Sequence, residues 1–307
     1  MIYKYFYNTN EHRLTAGVRI VIQFALFLSA YILTIVVTSG IDNYYISNLT
    51  QELLLIPFGI ISIYLPIYFF DKRKFEHLGF QFSKKWFFDF LYGISIGGIL
   101  MLFVFLFLIT FNKIEITSIL HSDYNYYFPI EIAGRFFGYL SIGLIEEAFS
   151  RGYHIKNISE GLNSDNSGNK NSVILAWIIS SFVFGILHGA NPDASLLGIV
   201  NLFLIGFLYG YAYIVSGSLA FPIGLHTAWN FFQGNVFGFN VSGFKPEVTF
   251  ILTKNIDNDL ISGGNFGPES GLIMLPTILI GFILSYYFLK FRFNNTSINP
   301  LLSVYKK

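Results

Sequence analysis

Residues 140–156 read LSIGLIEEAFSRGYHIK, an apolar run broken by two adjacent carboxylates, Glu146 and Glu147, and then by Arg151. Placing three ionisable groups in such a run costs free energy in any apolar medium. The surrounding composition defines that medium. Hydrophobic residues make up 53% of the 307-residue chain and charged residues only 12%, about half the share usual in soluble domains. Long apolar runs recur along the whole length, which reads as a polytopic, all-α membrane bundle.

The remaining composition is mostly exclusionary. A net charge of +1 with no basic stripe argues against a nucleic-acid partner. The absence of cysteine rules out disulfides, thiolate metal ligands and a thiol nucleophile. Polar residues Asn8, Asn10, Glu11, His12 and Arg13 precede the first apolar run, so no cleavable signal peptide is expected.

About eight transmembrane helices are expected, over 17–38, 50–70, 90–111, 130–153, 172–190, 195–215, 219–237 and 271–290. The segment 71–90, DKRKFEHLGFQFSKKWFFDF, mixes bases with aromatics and reads as an interfacial amphipathic helix. Three regions follow: 1–84, N-terminal helices and a basic loop; 85–291, the main transmembrane bundle; and 292–307, a tail. With the N-terminus inside, the inner segments hold Lys72, Arg73, Lys74, Lys84, Lys85, Lys290, Arg292, Lys306 and Lys307, among other bases. The outer loops hold only Lys113, Lys245 and Lys254. That asymmetry predicts a multi-pass protein of the cell (inner) membrane with both termini cytoplasmic.

Polar residues within the spans are few: Glu146, Glu147 and Arg151 in the fourth, His188 in the fifth, His226 and Asn230 in the seventh. Each costs about 2.5–3.5 kcal/mol or more at membrane depth, which makes each a functional candidate. Glu147 and Arg151 stand at i and i+4 and share a helix face, whereas Glu146 points about 100° away and is free to face a cavity. His226 and Asn230 also share a face, just after Pro222 at the start of a helix, and suit the holding of an oxyanion. Phe184 lies one turn before His188 and is placed to restrict its ring. Glu131 and Arg135 read as a simple i, i+4 ion pair. His12, His77, His121 and His154 read as solvated, and no serine motif supports Ser150 or Ser180 as a nucleophile.

Three short motifs occur in order: EEAFSR (Glu146, Glu147, Arg151), FGILH (Phe184, His188) and HTAWN (His226, Asn230). Together they resemble the CAAX protease and bacteriocin-processing (Abi) family of intramembrane proteases, over roughly residues 85–235. The resemblance implies a glutamate-type endopeptidase, a hydrolase acting on a small hydrophobic, peptide-precursor or CAAX-like substrate in the bilayer. Glu146 with His188 would activate a water, His226 and Asn230 would hold the oxyanion, and Glu147 and Arg151 would orient the site. Family members in bacteria are also tied to bacteriocin self-immunity. No cofactor is required by this scheme. A zinc-dependent variant through Glu146, His188 and His226 is the alternative, disfavoured because no HExxH pair is present and Glu147 is engaged with Arg151. Two further readings keep the bundle without proteolysis: a non-catalytic immunity or binding protein, and a transporter using these groups as a proton relay.

A shared site at one depth makes two demands on the bundle. The fourth span must run on as a helix to about residue 161. The link 216–221 must lie inside the protein.

Overall fold

The computed structural model describes residues 3–124, 126–163, 168–257 and 260–306; Lys307, one of the orienting bases, lies outside them. Seven helices among these residues are long and apolar enough to cross a membrane. They are α1 (Ala16–Thr38), α2 (Tyr44–Pro66), α3 (Lys84–Thr110), α4 (Phe128–Glu147), α5 (Lys170–Leu187), α6 (Leu196–Ser216) and, last in the chain, α8 (Met274–Phe293). Between the last two lies α7 (Ala220–Phe231), a twelve-residue helix prolonged by one wide turn over Phe232–Val236.

The eighth helix differs from the expected span because it is central rather than lipid-facing. Every residue from Ala220 to Asn230 is buried. A helix apolar on all sides belongs in a core, and its ends need not reach the bilayer surfaces. The guanidinium of Arg13, before α1, stacks 3.5 Å from the ring centroid of Tyr305, after α8, so both ends of the chain meet on one side.

Glycines bring α7 and α3 together. A Cβ built at Gly97 would lie 2.7 Å from Leu225 O and 2.8 Å from the Ala228 Cβ, and one at Gly224 would run into Phe90 O. Backbones approaching this closely pack by van der Waals contact where the bilayer supplies no hydrophobic drive. Replacing Gly97 by alanine is therefore expected to lower the melting temperature in detergent, by an overpacking cost of about 1–3 kcal/mol. Gly17→Ala, at a position with open space around it, should leave the melting temperature where it is. Scanning fluorimetry on the two variants checks both.

α4 does not stop near residue 153. It continues as a π-helix, Ala148–Ile155, and a final α-turn, Lys156–Gly161, giving one 34-residue rod. The link between α6 and α7 is half-buried at residues 216–218 and fully buried from Leu219 on. Leu219 and Ala220 are fully buried, and the Leu219 N–H donates to Gly79 O at 3.2 Å. The tail lies against the same place, with Asn299 N–H donating to Ile214 O at 2.8 Å. α7 therefore starts well inside the protein, which brings His226 level with Glu146, about 15 residues or 22 Å from the end of the α4 rod.

Two expectations are corrected. The segment 71–90 forms no separate amphipathic helix. Left-handed backbone at Lys72 (φ 54°) and Gly79 (φ 111°) breaks it into a short 3₁₀ turn, Phe75–Leu78. Ser83 then caps α3 by accepting from Trp86 N–H, so the basic and aromatic residues from Lys84 become that helix's first turns. The segments that follow α3 and α7 are also not all loop. β3 (Ile114–Ser122) pairs antiparallel with β4 (Val248–Asn255), a ribbon built of β-branched and aromatic residues, while β1 (Tyr7–Asn8) and β2 (Arg13–Leu14) form a small N-terminal hairpin.

On the side where the termini meet, Arg13, Arg19, Asp71, Arg73 and Glu160 are all buried. Arg13 bonds Glu160 at 3.0 Å, Arg73 also bonds Glu160, and Arg19 bonds Asp71. The cluster ties the N-terminal hairpin, the end of α2 and the end of the α4 rod together. Pairing is what lets so many charges be buried.

Candidate active site

The π-helical stretch begins immediately after the two glutamates, and a wide turn of this kind changes which side chains face inward. It places Arg151 in a fully enclosed position. Its Nη1 donates to Glu147 Oε1 at 3.0 Å and its Nη2 donates to Gly206 O on α6 at 3.0 Å. The guanidinium also lies 4.5 Å from the Phe184 ring centroid on α5. One arginine thus joins α4, α5 and α6.

Glu147 has a second partner. Its Oε1 accepts from His226 Nδ1 at 2.9 Å. The carboxylate, 0% exposed at its side chain, therefore fixes both the arginine and the imidazole of α7. The His226 ring is further held by stacking on Tyr209, with centroids 4.8 Å apart, and by the edge of Phe184 at 6.0 Å. With Nδ1 committed to Glu147, the Nε2 atom is the one turned toward Glu146, 4.0 Å from Glu146 Oε2.

Glu146 is placed differently from its neighbour. Its side chain is 29% exposed and lines a cavity of about 640 Å³. His188, His226, Asn230 and Phe184 line the same cavity, whereas Glu147 and Arg151 lie behind it. His188 sits in a 3₁₀ turn at the end of α5, its Nδ1 bonded to Phe184 O at 2.7 Å and its ring 4.6 Å from that of Phe184. The carbonyl requires the Nδ1–H, so in the neutral ring Nε2 is the acceptor.

Among the described residues no three His, Asp or Glu side chains come close enough together to hold a metal ion. Glu146, His188 and His226 nevertheless line one cavity.

Several side chains depart from their sequence reading. Arg135 pairs with Glu52 of α2 at 3.3 Å, and Glu131 instead accepts from Tyr126 N–H at 3.0 Å. The i, i+4 pair does not form because Glu131 turns back to the backbone just before α4, while Arg135 reaches across to α2. His154 is buried, not solvated, with its ring 3.2 Å from Gln23 Oε1 of α1. Ser180 Oγ donates to Ser150 O at 2.6 Å, which occupies Ser180 structurally. Glu52, Tyr139, Tyr209, Asn235 and Glu269 also line the cavity, and sequence reasoning singled out none of them. Glu269 alone had a nearby signal, the glycine-dense GGNFGPESG of 263–271.

Residues 129–232 match the family model described as type II CAAX prenyl endopeptidase Rce1-like. This segment, about a third of the chain, resembles that family. The match spans α4 to α7, and so Glu146, His188, His226 and Asn230. It supports a CAAX-type intramembrane protease in general and, with the seven apolar helices, a multi-pass membrane protein. The chain is also similar to the "Uncharacterized protein YyaK" of Bacillus subtilis (strain 168), 26% identical over 264 residues, covering 75% of this chain and 82% of that one. No solved structure matches at a significant level.

Proposed function

We propose that the protein is an intramembrane glutamate-type endopeptidase that hydrolyses a peptide bond in a small hydrophobic or peptide-precursor substrate. The observation that carries this reading is the division of the two glutamates. Glu147 is locked behind the cavity by Arg151 and His226, while Glu146 faces the space that also receives His188, His226 and Asn230.

In this scheme Glu146 takes a proton from a water held between it and His188, and the hydroxide attacks the scissile carbonyl. The Asn230 amide donates to the oxyanion in any protonation state. His226, with Nδ1–H given to Glu147, presents Nε2 to the cavity and donates from it as the imidazolium. The proton returned to the leaving nitrogen comes from Glu146. No metal takes part in these steps. The protein would sit in the cell membrane with both termini cytoplasmic, taking its peptide substrate from the bilayer.

The test is cleavage of a library of short apolar peptides by the purified full chain in detergent, with new termini read by mass spectrometry. Products are expected from the wild type before and after exhaustive chelation, and none from His188→Ala. Equal product from His188→Ala would sink the protease reading. Activity lost on chelation and restored by zinc would replace the metal-free scheme with a metal-dependent one.

A further inference from the structure

The cavity carries more negative charge than hydrolysis needs. Five carboxylates line it, Glu52, Asp123, Glu146, Glu247 and Glu269, against two cations, Arg135 and Lys245. Arg135 is engaged by Glu52 and Asp123 by His121 at 2.9 Å. Glu146, Glu247 and Glu269 have no Lys or Arg partner among the described residues, and of these three Glu269 is the buried one. It is only 2% exposed and makes no ion pair within 4.0 Å among the described residues. Its Oε2 accepts from both Ser242 N–H (2.6 Å) and Ser242 Oγ–H (2.8 Å), while its Oε1 has no hydrogen-bond partner among them.

The site is built, not incidental. Asn201 Nδ2 of α6 donates to both Glu269 O (2.8 Å) and Gly271 O (2.9 Å), and Ser195 Oγ meets Ser270 Oγ. Left-handed backbone at Gly263 (φ 81°) and Gly267 (φ 101°) folds the loop into this shape, and a Cβ at Gly267 would strike Asn240 O. All of these atoms hold one buried carboxylate at the cavity wall. A buried carboxylate without a cation is costly unless a charge partner arrives.

We infer that Glu269 is a specificity residue that receives a positively charged nitrogen of the substrate, a lysine or arginine side chain or a free α-amino group, in the cavity shared with Glu146. Glu269 lies outside the Rce1-like segment 129–232, so this preference belongs to the outer loop and not to the hydrolytic core. The inference rests on the protease reading for the word substrate, and on the cavity alone for the preference.

Binding is measured apart from turnover, on the full chain carrying Glu146→Gln. Three ten-residue apolar peptides, labelled at the C-terminus, serve as probes. One is N-acetylated with a central lysine, one is N-acetylated with norleucine there, and one has norleucine and a free N-terminus. By fluorescence anisotropy the lysine or the free-amine peptide should bind about tenfold or more tighter than the neutral one, the range of a charge-assisted hydrogen bond. Which of the two gains identifies the source of the nitrogen. Adding Glu269→Gln, which still accepts from Ser242, should abolish the preference. Glu269→Asp, which keeps the charge but withdraws it by one methylene, should reduce it. Equal affinity for all three peptides, or a preference untouched by either Glu269 variant, overturns the proposal. Cleavage of the same peptides by the unmodified chain tests the other reading separately. Preference without cleavage sinks the protease, and cleavage without preference sinks this inference.

Discussion

Glu146→Gln should reduce peptide cleavage by about 10²–10⁴-fold, the usual contribution of a positioned general base, while the melting temperature stays at the wild-type value. The two halves of this expectation come from the same geometry. The Glu146 side chain is 29% exposed, lies 4.0 Å from His226 Nε2 and makes no hydrogen bond among the described residues. Swapping it for an amide of equal size leaves no buried partner stranded, so stability has little to lose. Chemistry has much to lose, because glutamine cannot accept the water's proton. Steady-state cleavage and scanning fluorimetry on one preparation decide the matter. Retained cleavage would remove Glu146 as the base. A large fall in melting temperature would show that its role is structural and that the inner and outer glutamates have been assigned the wrong way round.

The bundle was legible because its signals are local. Runs of apolar residues at 1.5 Å rise define spans whatever their neighbours do, and the need for a common depth already required the α4 rod to reach Gly161. What local patterns could not carry were the choices made between helices. Arg135 at i+4 from Glu131 has the spacing of a pair, yet Glu52 of α2 takes it, because a partner 83 residues away in sequence lies closer in space. Glu147 was legible as the partner of Arg151, and its bond to His226 was not, since nothing in EEAFSR refers to HTAWN. The β3–β4 ribbon had its signal in IEITSILHS and VTFILTKN, alternating and rich in β-branched residues, but it lies between spans where a membrane reading expects loops. Glu269 was hidden for another reason. A glutamate in a glycine-rich outer loop reads as solvated until the glycines are seen to fold it inward.

The bond from Glu147 to His226 predicts the larger structural effect. Glu147→Ala is expected to destabilise the protein by about 3–5 kcal/mol, the cost of stranding one member of a buried ion pair, and to abolish cleavage as well. Among the described residues Arg151 would keep Gly206 O as its one hydrogen-bond acceptor, and the His226 Nδ1–H would lose its acceptor. Stability and activity then separate in the double variant. Arg151→Met in the Glu147→Ala background removes the stranded charge and fills the space beside Phe184 and Tyr209, so the melting temperature should recover in large part. Cleavage should not recover, because His226 still lacks the carboxylate that fixes its ring with Nε2 toward the cavity. If Glu147 served only to neutralise Arg151, the double variant would regain activity along with stability, and the coupling between the two positions would account for both readouts. A double variant that is stable and inactive therefore assigns to Glu147 the positioning of His226, a role that the spacing of EEAFSR alone cannot reveal.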